Sequence, residues 1–142
     1  MRRTSFIYRL GNQEMSEFAL LADSFDPNAI YSLRTDVQFS YQASAAMLKC
    51  RMSFMLLNDT QQPQLTAVFD SFFMIKEESI KQNMTEGKLT FPENCLLHMA
   101  SVTYSSLRGA LLIKTQGTAF NRFLLPLLDV NKLIDHPFEV EL

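Results

Sequence analysis

Residues 45–57 read AAMLKCRMSFMLL, and they decide the fold. Leu48, Cys50, Met52, Phe54 and Leu56 fall on one face of an extended chain, while the other begins with Met47, Lys49, Arg51 and Ser53. Side chains of a strand alternate between its two faces, so this is a strand with one apolar and one mixed face. That pattern belongs to an antiparallel sheet buried on one side.

The flanking segments repeat it. In 32–42, Leu33, Val37, Phe39 and Tyr41 oppose Arg34, Gln38 and Ser40. In 64–78, Ala67, Phe69, Phe73 and Ile75 alternate with Thr66, Val68, Asp70, Phe72 and Met74. Around Phe72 to Met74 the strand is apolar on both faces, so its outer face is also expected to meet a partner. The connections are short, and 58–63 (NDTQQP) is a loop by composition, so the three strands form a meander. Upstream, 5–10 suits a short strand with Phe6 and Tyr8 on one face. The stretch 15–31 mixes apolar residues with the turn chemistry of Asp26-Pro27-Asn28 and reads as an irregular connection.

Beyond a polar stretch ending at Gly87, the period changes. Leu96, Leu97, Ala100, Tyr104, Leu107, Ala110, Leu111 and Ile113 recur at helical spacing. Thr90 with Glu93 suggests a capping box, Pro92 suits the first turn, and Gly117 suits a left-handed stop. Asp129 can cap a short final helix through Val130, Leu133 and Ile134, which His136-Pro137 would end. The expected fold is therefore α+β. A four-stranded antiparallel sheet, a meander with a crossover connection, is packed by one long helix and a short C-terminal helix in a single domain over 1–142.

Composition narrows function. With 13 Lys and Arg against 15 Asp and Glu, the net charge is −2, and no basic stripe offers a nucleic-acid footprint. No apolar run approaches a membrane span. Arg2 and Arg3 are followed by no apolar region of signal-peptide length, so a cytoplasmic protein is expected, with Cys50 and Cys95 as unpaired buried thiols. Cys95 and His98 share a side of the helix but lie among core-type residues with no third group to orient them. Neither a metal-ligand spacing nor a phosphate-binding glycine loop is present, so no catalytic residue, cofactor or metal is assigned. Twelve Phe and eight Met without Trp favour a soft apolar surface or a Phe-rich core.

Three motifs in the second half carry a resemblance. They are Phe91-Pro92-Glu93-Asn94-Cys95-Leu96-Leu97, then Leu107-Arg108-Gly109, then Leu124-Leu125-Pro126-Leu127-Leu128-Asp129-Val130-Asn131-Lys132-Leu133. In order and spacing they resemble the SecB family of export chaperones. The resemblance implies a homotetramer built as a dimer of dimers, with grooves for unfolded client proteins and a sheet face that docks the SecA motor. It implies an ATP-independent holdase, not an enzyme. Extra residues precede the Leu124-Leu125-Pro126 segment, and only Glu139 and Glu141 stand where the family has a long acidic tail. These departures bear on the SecA link more than on client binding. A chaperone dedicated to a toxin–antitoxin system is one alternative, and a hydrophobic small-ligand-binding domain another. By position, Phe18, Leu21, Phe25 and Ile30 correspond to the family's crossover connection, and Phe120, Phe123, Leu124 and Leu128 to its helix-lid segment. These eight residues are the expected client-binding set; the competing reading is that they seal the edge of the core.

Overall fold

The structure, a computed structural model, describes residues 6–122 and 132–142. Four antiparallel strands form the main sheet: β1 (Tyr8–Leu20), β2 (Ser32–Gln42), β3 (Met47–Leu57) and β4 (Pro63–Ile75). Their spatial order is β1-β4-β3-β2. Strands β2, β3 and β4 form the expected meander, and the connection from β1 to β2 crosses the width of the sheet.

The period-two reading of β3 holds residue by residue. Leu48, Cys50, Met52, Phe54 and Leu56 are buried, and the intervening residues Met47, Lys49, Arg51, Ser53 and Met55 are half-buried. Ala45 is not part of this strand, because Ala43–Ala45 form a 3-10 turn closed by Ala46 in the left-handed region. The strand expected over 64–78 stops at Ile75, since Glu77 and Glu78 open a short helix, α1 (Glu77–Gln82).

Strand β1 departs furthest from expectation. It runs 13 residues rather than six, and takes in Met15, Phe18 and Leu20 from the stretch read as irregular. Its register against β4 slips between Leu10 and Asn12 and again between Met15 and Glu17. Each bulge inserts one unpaired residue and resets the alternation. That is why a strict period of two fails along this strand.

The long helix α2 (Glu93–Lys114) covers the inner face of the sheet. Leu96, Met99, Ala100 and Leu107 meet Leu48, Met52, Leu56 and Phe73 in one apolar core. Burying a side chain of this size contributes about 1.5–3 kcal/mol. A chain of polar contacts crosses the same interface. Gln13 Nε2 donates to Ser71 Oγ at 3.0 Å, Thr103 Oγ1 lies 2.9 Å from Ser71 Oγ, and Ser106 Oγ donates to Gln13 Oε1 at 3.0 Å. These directional bonds hold the helix to one register on the sheet.

The capping box does not form. Pro92 occupies the N-cap with no side-chain cap, and Thr90 lies in a strand. A small second sheet of order β5-β6-β7 accounts for this: β5 (Met84–Thr85), β6 (Lys88–Phe91) and β7 (Phe138–Glu141). Thr90 pairs with Glu139 across it. Glu86 and Gly87, both at positive φ, make the two-residue β5–β6 turn. The C-terminal residues, read only as a short tail, therefore contribute a strand. Gly117 takes the expected left-handed conformation, at φ +79°. The short final helix expected from Asp129 falls largely outside the described residues.

Candidate functional site

The crossover connection, residues 21–31, is closed on itself by its own turn chemistry. Asp26 Oδ1 accepts from Asn28 N at 2.9 Å, and Asp26 O accepts from Ala29 N at 3.1 Å. The Tyr31 hydroxyl accepts from Asp26 N at 2.9 Å. This closure stacks the Phe25 ring on Tyr31, with centroids 4.8 Å apart and 23° between the planes.

The chain beyond α2 reaches the same place from the other side. Thr118 Oγ1 donates to Thr115 O at 2.7 Å, and Asn121 Nδ2 donates to Leu112 O at 2.9 Å. These bonds fold residues 115–121 back over the helix end, where Ala119–Arg122 make a 3-10 turn. Phe120 is thereby delivered against Phe25, with centroids 5.6 Å apart.

The expected client-binding residues divide by placement. Phe25 and Phe120 are brought together. Phe120 is only 3% exposed, so in this conformation it seals the core. Phe18 lies within β1 and packs partly buried against the core, not in an irregular connection. Leu21 and Ile30, near the two ends of the crossover, are 57% and 80% exposed. Phe123, Leu124 and Leu128 lie outside the described residues.

A second apolar surface lies on the same face of the sheet, toward β2. Phe138 of β7 packs near Phe39 at 6.2 Å and stacks on Phe91 at 6.1 Å. Tyr41 and Phe6 complete the cluster around Phe91, at 5.6 and 4.8 Å. A groove of about 130 Å³ runs beside it, lined by Val37, Phe39, Leu96, Leu133, Ile134, His136 and Phe138. The alternation of β2 placed Phe39 on the inner face, but nothing in the sequence alone joined it to Phe138.

Both thiols are buried and free. Burial pushes Cys95 up to about 12, with a hydrogen bond to Tyr8 acting in the opposite direction. His98 Nδ1 meets the Tyr8 hydroxyl instead, so imidazole and thiol do not form a working pair. Burial likewise pushes Cys50 up to about 12. Among the described residues no group of three or more His, Cys, Asp or Glu is placed to hold a metal ion. Nor is any helix there long and apolar enough to cross a membrane. What the crossover connection and the residues just beyond α2 offer is apolar and aromatic surface.

No family model matches the sequence, and no curated protein matches it. Among solved structures, the fold is similar to that of the Mycobacterium tuberculosis Rv1957 SecB-like chaperone, solved in complex with a ChAD peptide from the Rv1956 HigA1 antitoxin. The TM-score is 0.60 over 86% of this chain and 90% of that chain, at 12% identity. The likeness is one of fold, and the fold is SecB-like.

Proposed function

We propose that the protein is an ATP-independent holdase that binds non-native polypeptides along the rim formed by the crossover connection and the segment beyond α2. The observation that carries this reading is the state of the crossover. Its backbone is braced by hydrogen bonds at Asp26 and Tyr31, while Leu21 and Ile30, near its two ends, stand out in solvent. An ordered platform exposing apolar groups binds unfolded chains without first paying to order itself. Extended clients add backbone hydrogen bonds and nonspecific burial of alternate side chains. The SecB-like fold supports the same reading, since the similar solved protein is a chaperone holding a peptide.

The working form in this proposal is a cytoplasmic homotetramer, a dimer of dimers, whose repeated rims raise affinity through effective concentration. Delivery of export clients to a SecA motor is a further part of it. A second reading is favoured by the antitoxin peptide in the similar structure: a chaperone dedicated to one antitoxin. Light scattering from a chemically unfolded client diluted into the pure protein, without nucleotide, tests the holdase directly. Suppression near stoichiometric ratios is expected; aggregation unchanged at severalfold excess would remove the proposal. Suppression across unrelated clients supports the general holdase, and suppression of a single antitoxin the dedicated one.

A further inference from the structure

Strand β7 is the outer strand of the small sheet and is paired on one side only. Its register on β6 runs from Phe91 with Phe138 to Lys88 with Glu141, and Leu142 N adds one bond to Gly87 O at 2.9 Å. None of its side chains is fully buried: Phe138 and Val140 are half-buried, and Glu139 and Glu141 are exposed. The strand beneath it is the reverse. Leu89 and Phe91 of β6 are completely buried in the core. Phe91 is packed by Phe6 and Tyr41 as well as by Phe138, and β6 also pairs with β5. Segments with few buried apolar groups are the first to open. Lifting β7 therefore uncovers Phe39 and Phe91 and leaves β6 in place.

Two features make β7 resemble a bound ligand. Phe138-Glu139-Val140-Glu141-Leu142 alternates apolar and acidic residues, the pattern with which an extended segment adds to a sheet edge and turns one face inward. Moreover, Phe138 does not fill its seat, because the groove of about 130 Å³ beside it stays open between Phe39, Leu96 and Ile134.

Resting on the holdase reading above, we propose that the seat of β7 is itself a polypeptide site, which β7 fills in the free protein and an extended client segment takes over. The incoming segment pairs with β6 in place of β7 and lays alternate apolar side chains on Phe39 and Phe91. One of them enters the groove that Phe138 leaves open. Occupation by β7 lowers the apparent affinity for clients, since only molecules with an open seat can bind there. It also keeps an aromatic patch covered when no client is present, which limits association between copies of the protein.

Thr90 and Glu139 allow the exchange to be locked. Thr90 N donates to Asn83 O at 3.3 Å, on the β5 side, so Thr90 and Glu139 face each other without mutual main-chain bonds. Pairs of this kind bring Cα atoms to about 4.5 Å, within disulfide range. Cys50 and Cys95 are buried, so mild oxidation of a Thr90→Cys, Glu139→Cys variant joins only the new pair. The oxidised variant is expected to bind a fluorescently labelled, permanently unfolded client at least about fivefold more weakly than the same variant reduced, which should bind like wild type. Amide exchange needs no variant: on wild-type protein, saturating client should speed exchange at Val140 and Leu142 while Leu89 stays protected. Equal affinity of the oxidised and reduced forms, or unchanged exchange at Val140 and Leu142, would overturn the inference and leave the holdase standing. A client bound by no form would remove the holdase reading and this inference together.

Discussion

Asp70 is a carboxylate on the outer face of the sheet that is nevertheless only 1% exposed. Arg51 covers it with two parallel hydrogen bonds, at 2.8 and 3.0 Å. Burial alone would raise the pKa of Asp70, but the hydrogen bonds and charge of Arg51, aided by Lys49, outweigh it and hold the carboxyl below its ordinary value. A folded pKa below the unfolded one means the pair's stabilisation is fully present above pH ~4 and is lost as pH falls through the folded value. Thermal melts between pH 7 and pH 3 should therefore show an acid loss that Asp70→Asn reduces. Arg51→Ala should cost about 1–3 kcal/mol at neutral pH, because the carboxylate stays buried without its partner. The thiols give a second expectation at this scale. Cys50 and Cys95 are both buried and free, with pKa values near 12, so neither should react with a thiol reagent at pH 8 in the native protein. Both should react once the protein is denatured. Rapid modification of one thiol in the native state would contradict their placement.

Among the elements, Thr90 separates two accounts of how α2 begins. As the first residue of a capping box its loss would cost about 1 kcal/mol. As a strand residue paired with Glu139, its replacement by another β-branched residue should cost almost nothing. Thr90→Val is therefore expected to change stability by less than about 0.5 kcal/mol in urea unfolding. The same residue shows where sequence reading stops. Strand β2 was legible to the residue because one of its faces is polar throughout, and the buried face of β3 because each alternate residue is apolar. Strand β1 was not, because Gly11-Asn12-Gln13-Glu14 is polar on both faces and two bulges break the alternation. Strand β7 exists only through its pairing with β6, a tertiary effect that four residues of FEVE cannot announce. In the candidate site, Asp26-Pro27-Asn28 announced a turn, and the family resemblance pointed to both partners of the Phe25–Phe120 contact. The contact itself needs the fold-back at Thr115 to Asn121, whose side-chain bonds carry no periodic signal.

At the scale of the molecule, α2 covers the inner face of the sheet, and the crossover connection carries exposed aliphatic residues near its ends and the sealed Phe25–Phe120 contact between them. The proposed holdase uses this crossover, and its central claim is that Leu21 and Ile30 capture chains while Phe120 holds the fold. Because Leu21 and Ile30 are largely exposed, Leu21→Ser with Ile30→Ser should leave stability nearly unchanged. Phe120→Ala should instead cost about 3–5 kcal/mol, since Phe120 is buried. The decisive measurement is the affinity of a fluorescently labelled, permanently unfolded client for wild-type protein and for the Leu21→Ser, Ile30→Ser double variant, with melting temperatures taken alongside. The account predicts a double variant that melts like wild type and binds the client at least about tenfold more weakly, a loss of about 1.4 kcal/mol. A double variant that melts like wild type and binds the client equally well would contradict it.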